Sequence, residues 1–482
     1  MKSLAKNSAF NAVYTILNLL FPLITSVYSA RILLPEGVGR VAYAQSIVSY
    51  FVTFASLGLP NYGLREIAKA KDSYNKKCKL FTELLILNSI STSVSLVTYV
   101  ILFSVNPYMK IQSHLFCACG LLIVLNYFNI DWFYQGEEEY VYIVCRSIVI
   151  KVLSVLAILI LVRNQSDYVI YAWISSLALG GNYILNIIHS RKYVKLVFSD
   201  INLKPHIKPI VLMALGILLS SIYSKVDVTM LGAMSGERNT GLYTNGIKIV
   251  DMIISTSTAM TAVFMPRLSY YFENNNDEFV KLIKTGTSVL SFITFPLAFG
   301  LFMVAPKAVC ILFGDTFIES ATIIRILCVL IIIKGFGNLL CYQLTMCTGN
   351  EKERIPAALF GSISNVIMNA LLIPIYAGAG AAVASIISEG IVNGYQLVKM
   401  RTIVDIQFDK SILYKSIMSS IFMGAVCFFI GRINTEMWIS TVITVVSGIA
   451  AYIGMNLILK NEMLFEIMKT INEKILRRAC EK

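Results

Sequence analysis

The chain has 482 residues, of which 56% are hydrophobic and 14% are charged, and its mean hydropathy is +0.70. Soluble chains average about 25% charged residues, so this composition excludes a soluble globular protein and indicates one that lies in lipid. A net charge of +13 would suggest nucleic acid as a partner of a soluble protein, but in a membrane protein it reflects the Lys and Arg of cytoplasmic loops.

Apolar segments of about 20 residues recur along the chain, and each is long enough to cross the bilayer as a helix. A helix satisfies its own backbone hydrogen bonds in hydrocarbon, and continuous apolar runs exclude an outer-membrane barrel, whose strands alternate. We therefore predict an all-α integral membrane protein with about fourteen transmembrane helices. The spans are placed at residues 10–30, 41–60, 80–104, 114–133, 144–162, 169–190, 209–231, 242–264, 285–304, 319–340, 355–376, 379–400, 412–431 and 437–458.

An even number of spans places both termini on one side of the membrane, and the distribution of Lys and Arg selects that side. The loops on the side of the termini contain about 28 basic residues, and the opposite loops contain about 7. Because Lys and Arg accumulate in cytoplasmic loops, we predict that the N- and C-termini are cytoplasmic.

Two loops that follow spans 1 and 7 are similar in sequence. The first reads Leu34-Pro35-Glu36-Gly37-Val38-Gly39, followed by Val41-Ala42-Tyr43. About 202 residues later the chain reads Met234-Ser235-Gly236-Glu237-Arg238-Asn239-Thr240-Gly241, followed by Leu242-Tyr243. Both loops lie on the same predicted side, which favours two halves in parallel orientation. We predict a six-helix bundle in residues 1–208, a second in 209–403, and two additional spans with a basic cytoplasmic tail in 404–482.

The loops are short, none exceeding about 20 residues, and they offer no room for a soluble catalytic domain. The phosphate-binding pattern GxxxxGK[ST] is absent, which disfavours an ATP-driven pump. The ten cysteines include no CxxC pair and the three histidines are dispersed, so we expect neither a disulfide framework nor a metal site. We predict no cofactor, no catalytic residues and no enzymatic activity.

Charged residues inside the spans are costly in lipid and by default indicate function. Lys225 and Asp227 lie in an unusually polar stretch, and residues at i and i+2 do not face each other on a helix. Each therefore needs a partner elsewhere or water in a cavity. Lys151 and Lys334 lie near the middle of spans, where snorkelling is hardest. The excess of basic over acidic groups predicts an aqueous cavity for an anionic cargo.

Other charges in the spans have simpler interpretations. Glu83, Asp131 and Arg146 lie near predicted cytoplasmic ends, and we expect their side chains to reach water. Lys248 and Asp251 are spaced i, i+3 and can pair on one helix face. The sequence leaves open whether that pair is structural or functional.

The segment from Tyr28 to Gly39 resembles a signature of Wzx-type polysaccharide flippases, which belong to the multidrug/oligosaccharidyl-lipid/polysaccharide (MOP) exporter superfamily. Four further stretches in the same order are similar to this family, at residues 57–66, 131–136, 223–243 and 378–389. Together they extend over about the first 400 residues. Leu34 is a departure, because the family usually has Gly at this position.

The resemblance implies a V-shaped carrier of two six-helix bundles plus two helices. It also implies a cargo of undecaprenyl-pyrophosphate-linked oligosaccharide, which alternating access moves from the cytoplasmic to the outer face of the bacterial plasma (inner) membrane, for O-antigen, capsule or exopolysaccharide biosynthesis. Coupling to a proton or sodium ion, and partnership with a polysaccharide polymerase and a chain-length regulator, stay open. Candidate cargo contacts are Arg31, Arg65, Lys151, Lys225, Lys248, Arg325 and Lys334. Candidates for ion coupling or charge pairing are Asp227, Asp251 and Glu389.

Three alternative functions remain. A MATE-like ion-coupled exporter of small molecules would favour a net acidic cavity, whereas the in-span charge here is mainly basic. A membrane polysaccharide polymerase or ligase typically carries a long outer loop with catalytic residues, and no such loop is present. A non-transporting scaffold for cell-wall assembly is the third alternative.

Overall fold

In a computed structural model, which describes residues 4–433, 436–469 and 473, the chain is helical almost throughout. The described part contains no β-strand, and the all-α prediction is confirmed. Most of the predicted basic tail beyond residue 469 lies outside the described residues. The helices are α1 (Leu4–Ser56), α2 (Leu59–Ala70), α3 (Tyr74–Val105), α4 (Pro107–Ile111), α5 (Ser113–Leu125), α6 (Asp131–Gly136), α7 (Tyr140–Leu161), α8 (Tyr168–Ser190), α9 (Lys204–Thr261), α10 (Met265–Asn274), α11 (Asn276–Phe313), α12 (Ser320–Gly337), α13 (Leu344–Cys347), α14 (Arg354–Arg401), α15 (Lys410–Ile430) and α16 (Met437–Ile458).

Ten helical segments in the described part are long and apolar enough to cross a membrane. Three of these contain one non-helical residue that divides the helix in two, namely Leu34 in α1, Gly236 in α9 and Ala377 in α14. A shorter apolar helix covers Ser113–Phe128. With the divided helices counted twice and the short one added, the prediction of about fourteen spans is confirmed. The side of the membrane on which the termini lie stays a prediction.

The surfaces of the long helices are apolar. Val97 and Ile101 of α3 are each 59% exposed, and Ile160 of α7 and Leu179 of α8 are each 60% exposed. Exposed apolar surface of this extent is unfavourable in water and favourable against lipid tails. The chain is a multi-pass membrane protein.

Contacts group the chain into two compact units, Met1–Gly241 and Leu242–Lys482. In the first unit the initial part of α9 packs on the start of α2, where a Cβ at Gly58 would lie 2.6 Å from the carbonyl oxygen of Ile210. In the second unit α16 packs on α11, and the Tyr452 hydroxyl donates a hydrogen bond to the Phe292 carbonyl at 2.8 Å. The predicted division into residues 1–208, 209–403 and 404–482 stays a prediction.

Side-chain caps fix several helix starts. The Asn106 side chain accepts hydrogen bonds from two backbone N–H groups at the start of α4, and Asn275 accepts from Glu278 at the start of α11. The Asp409 carboxylate accepts from the backbone N–H of Ile412 at 3.1 Å and thereby caps α15. Such caps satisfy N–H groups that have no partner inside the helix.

Removal of the Asp409 cap is expected to destabilise α15 in a pH-dependent way. The Ile412 N–H, and then the Lys284 ammonium, hold the pKa of Asp409 below its usual range, so its contribution is present above the ordinary pKa of about 3.9 and is lost as the pH falls below it. We expect Asp409→Ala to cost about 1 kcal/mol of stability at pH 7. Thermal unfolding in detergent at pH 7 and near pH 3 measures this difference. The exposed Asp405→Ala is the control, and an Asp409→Ala effect that does not shrink in acid would contradict the assignment.

Candidate functional site

Two helix breaks in the first unit share one backbone conformation. Leu34 has φ 58° and ψ 176°, and Gly236, which is 202 residues later, has φ 84° and ψ 177°. This region of backbone space is nearly exclusive to glycine, so the backbone at Leu34 is strained. The matching conformations agree with the internal repeat that the sequence predicts.

The helical turns that follow these breaks meet through two glycines, which we call the glycine contact. A Cβ at Gly39 would lie 1.7 Å from the carbonyl oxygen of Glu237, and a Cβ at Gly241 would lie 2.0 Å from the carbonyl oxygen of Pro35. Pro35 and Glu237 are 202 residues apart in the sequence, and so are Gly39 and Gly241. Each glycine therefore contacts the residue that is equivalent to the one contacted by the other glycine. Such an exchange is characteristic of a two-fold contact between equivalent surfaces, and neither position has space for a side chain.

Charged and aromatic side chains surround the glycine contact. Arg40 pairs with the Glu237 carboxylate, which also accepts a hydrogen bond from the Tyr108 hydroxyl at 2.8 Å. The Arg40 guanidinium lies 5.2 Å from the ring centroid of Tyr168, at the start of α8. The contact therefore links the two breaks with α4 and α8. From the sequence alone, Arg40 counts only as a loop charge.

Hydroxyl groups join the second part of α1 to the first part of α9, and we call this the polar seam. The Tyr50 hydroxyl lies 3.0 Å from Thr229, which donates to Ser46 at 2.9 Å, and Thr53 lies 3.1 Å from Ser221. Paired hydroxyls are favourable in a membrane interior, where water cannot satisfy them.

Lys225 and Asp227 lie beside the polar seam on α9. The Lys225 side chain is exposed, whereas Asp227 is only 7% exposed. The two residues thus point in different directions, as their i, i+2 spacing requires. Both remain candidates for the functions that the sequence predicts.

The other candidates of the first unit lie on three helices. Arg31 is exposed on α1, just before the break at Leu34. Arg65 lies on the 12-residue helix α2, where it pairs with Glu66 at 3.1 Å. The Lys151 ammonium of α7 lies 5.7 Å from the ring centroid of Phe21.

The second unit brings Lys334 and Glu389 together. The Lys334 ammonium of α12 lies 3.9 Å from a carboxylate oxygen of Glu389 on α14. The Asn393 amide donates to Glu389 at 3.3 Å and to the backbone carbonyl of Ile333 at 3.3 Å. At 3.9 Å the ion pair is long and lacks a direct hydrogen bond, and the Lys334 side chain is 31% exposed.

A π-helical segment follows Lys334 within one turn. Residues 338–343 form this segment, which continues α12 into α13. Asn338 and Gln343 hydrogen-bond Thr261 at the end of α9, at 2.8 and 3.0 Å. Gly337 packs on Asn393, and a Cβ there would lie 2.4 Å from the Asn393 Oδ1. π-Helical segments occur frequently at functional sites and bends, which supports the choice of this region as a candidate site.

Lys248, Asp251 and Arg325 are the remaining candidates of the second unit, and the pairing of Lys248 with Asp251 stays a prediction. The Lys248 ammonium donates to Asn245 at 3.2 Å, and Asp251 is exposed on the same helix. The Arg325 guanidinium of α12 donates to the Phe302 carbonyl at 3.3 Å and lies 5.5 Å from the Phe302 ring centroid.

Arg146 forms an ion pair that the sequence does not reveal, in which Arg146 is buried and the Asp131 side chain is 30% exposed. Its side chain is 3% exposed and lies 3.1 Å from the Asp131 carboxylate, which also accepts from Asn186. The expectation that Arg146 reaches water is therefore wrong. Arg146 Nε and Nη1 have no hydrogen-bond partner within the described residues. The pair connects α6, α7 and α8.

Glu83 also departs from the sequence prediction. It is 5% exposed and accepts from the backbone N–H of Asn202 at 2.8 Å and pairs with His206 at 3.1 Å. The other ring nitrogen of His206 lies 2.7 Å from the Tyr62 hydroxyl. Buried charges need partners, so the position of Glu83 early in a span could have indicated that it has a partner. The sequence could not have shown that this partner is His206.

Comparison with known proteins identifies the family. Residues 4–272, more than half of the chain, match the family described as Polysaccharide biosynthesis protein. The chain belongs to this family. The family-level resemblance that the sequence shows is thereby confirmed.

Relatives with assigned names agree with this membership. A putative O-antigen transporter of Escherichia coli (strain K12) is 23% identical over 402 residues, which cover 83% of this chain and 97% of that protein. A probable low-salt glycan biosynthesis flippase of Haloferax volcanii is 21% identical over 214 residues, which cover 43% of this chain and 44% of that protein.

Solved structures share the fold of this polysaccharide biosynthesis family member. The inward closed conformation of the lipid II flippase MurJ matches with a TM-score of 0.78 at 14% identity, over 95% of this chain and 99% of that chain. An inward-facing multidrug resistance MATE family transporter of the MOP superfamily matches with a TM-score of 0.60 at 14% identity, over 80% of this chain and 93% of that chain.

Proposed function

We propose that the chain is a flippase for undecaprenyl-pyrophosphate-linked oligosaccharide. The observation that supports this most strongly is the match to nearly the whole length of a putative O-antigen transporter. The flippase would move repeat units from the cytoplasmic to the outer face of a bacterial plasma membrane, for surface polysaccharide biosynthesis. It would act without catalytic chemistry, as a carrier.

The basic candidates would hold the pyrophosphate and any acidic sugars. Each Lys or Arg gives a charge-assisted hydrogen bond to a phosphate oxygen, and such bonds are about twice as strong as neutral ones. Lys334 is the most specific candidate, because its 3.9 Å separation from Glu389 leaves its ammonium donors for a cargo anion. Release of the cargo would return Lys334 to Glu389.

Alternating access would use the helix breaks. The glycine contact joins the helical turns that follow Leu34 and Gly236, and the charge bias predicts that these turns lie on the outer side. Outward opening would separate these turns and break the Arg40–Glu237 pair. Asp227, Asp251 and Glu389 are the groups available for coupling this movement to a proton or sodium ion.

Deletion of the gene in the organism of origin tests the function. We expect surface polysaccharide to be lost, while lipid-linked repeat units accumulate and stay inaccessible to glycan-modifying reagents added outside the cell. Normal surface polysaccharide, or a changed resistance to small molecules as the main phenotype, would contradict the flippase and favour an exporter.

Substitutions at the basic candidates test the cargo contacts separately. Lys225→Ala and Lys334→Ala are each expected to slow translocation about tenfold or more, since a hydrogen bond to a charged group contributes about 1.5–3 kcal/mol. The rate is measured as lipid-linked oligosaccharide reaching the outer leaflet of proteoliposomes. Lys352→Ala, which removes an exposed Lys just before the start of α14, is the matched control. Undiminished rates in both variants would exclude these contacts.

A further inference from the structure

The segment between α8 and α9, residues 191–203, is fixed along α3 by side chains. Within it, the backbone N–H of Lys195 donates to Cys78 Sγ at 3.3 Å, and that of Val197 donates to Thr82 Oγ1 at 3.0 Å. The N–H of Asn202 donates to Glu83 at 2.8 Å. The segment lacks helical structure of its own, yet these hydrogen bonds hold it in one place. We call residues 191–208 the basic strap.

The basic strap carries more positive charge than its surroundings neutralise. Its five basic residues are exposed, and no ion pair is described for any of them within residues 4–433, 436–469 and 473. Its only acidic residue is the exposed Asp200. On neighbouring segments, by contrast, Lys71 and Lys77 are paired with Glu138 and Glu137. The five basic residues are Arg191, Lys192, Lys195, Lys204 and Lys208.

Exposed apolar residues alternate with these charges. Leu196 is 52% exposed and Phe198 is 67% exposed, and both line a groove of about 260 Å³ together with Leu85 and Ser89 of α3. Leu85 and Ser89 belong to a predicted membrane span, so this groove faces lipid, which favours a ligand with acyl chains over a nucleotide or an acidic peptide.

A second groove begins at the end of the basic strap. It measures about 430 Å³ and extends from Lys204 and Lys208 along Val211, Leu212 and Leu215. These three apolar residues are 47%, 61% and 55% exposed, while Ile210 on the opposite side of the helix is 2% exposed. The same surface thus offers ammonium groups at one end and an apolar groove at the other.

We propose that the basic strap binds anionic phospholipids of the cytoplasmic leaflet. The phosphate would lie against Lys195, Lys204 and Lys208, and acyl chains would occupy the two grooves. Clusters of four to eight basic residues next to a membrane span attract anionic lipid headgroups, and the strap has five. The proposal depends on the predicted orientation of the chain and not on the proposed transport function.

Lipid titration of the full-length protein in neutral detergent tests this proposal. Native mass spectrometry would count bound phosphatidylglycerol or phosphatidylcholine on the wild type and on the triple variant Lys195→Gln/Lys204→Gln/Lys208→Gln. Each Lys near an anionic surface contributes about fivefold in affinity, so the variant should bind phosphatidylglycerol about 100-fold more weakly at low salt. Binding of phosphatidylcholine should not change.

The matched control removes three other exposed lysines, as Lys76→Gln/Lys281→Gln/Lys352→Gln, and should bind phosphatidylglycerol like the wild type. Unchanged thermal stability in neutral detergent verifies that the triple variant is folded. Two results would overturn the proposal. One is wild-type phosphatidylglycerol binding by a folded triple variant. The other is a preference of the strap for polyprenyl pyrophosphate over phosphatidylglycerol, which would assign it to the carrier lipid.

Discussion

Gly39→Val is expected to abolish translocation. The added Cβ would lie 1.7 Å from the carbonyl oxygen of Glu237, and the next two atoms it meets are also backbone atoms. Backbone cannot rotate away as a flexible side chain can, so the cost exceeds the roughly 1–3 kcal/mol that is typical of overpacked sites. The turns at Leu34 and Gly236 would be held apart. Translocation of lipid-linked oligosaccharide in proteoliposomes measures the loss.

A second measurement shows whether Gly39→Val opens the contact between α1 and α9 or unfolds the protein. A cysteine introduced at Thr229, in the polar seam, should react faster with a membrane-impermeant thiol reagent in the Gly39→Val background. Gly216→Val is the matched control, because a Cβ added at this glycine of α9 would have no heavy atom within 4 Å, and the protein should tolerate the change. Normal transport by Gly39→Val would contradict the role of the glycine contact.

Asp131→Ala is expected to destabilise the protein by about 3–5 kcal/mol, because it leaves Arg146 buried without its counter-charge. The Arg146 side chain is 3% exposed, and two of its nitrogens already lack partners within the described residues. The loss should appear as a lower thermal unfolding temperature in detergent.

The double variant Asp131→Ala/Arg146→Leu should recover part of that loss, since replacement of a buried ion pair by apolar residues is often neutral. Glu138→Ala is the control, because it breaks a pair with Lys71 in which both side chains are largely exposed and should cost less than about 1 kcal/mol. If Asp131→Ala lowered the stability of the protein no more than Glu138→Ala does, the ion pair would not be an important contact among α6, α7 and α8.

The positions of the spans could be predicted because each apolar segment forms its helix locally. Leu34-Pro35 and Gly236 were placed in loops for the same reason, although the structure continues the helix on both sides of a single non-helical residue. Composition could not show that residues 131–136 pack on α2. There a Cβ at Gly63 would lie 2.7 Å from the Trp132 ring, a contact between segments about 70 residues apart.

The site was predicted less completely, because a charged residue in a sequence does not reveal its partner. Lys334 and Glu389 were both candidates, but only the fold places them 3.9 Å apart on α12 and α14. The prediction that the Arg146 side chain reaches water was wrong. Proximity to a helix end suggests snorkelling, but it does not show that α6 packs against the side chain. Gly39 was visible in the motif, but its close approach to Glu237 was not.

The most direct measurement of the central claim uses purified wild-type protein in proteoliposomes with native lipid-linked oligosaccharide on one leaflet. Transfer is followed by a glycan-modifying enzyme that acts only on the opposite leaflet, with and without proton and sodium gradients. The proposed function predicts protein-dependent transfer of the oligosaccharide lipid, which Gly39→Val eliminates and Gly216→Val preserves. Transfer no faster than in protein-free vesicles, under any gradient, would contradict the flippase assignment.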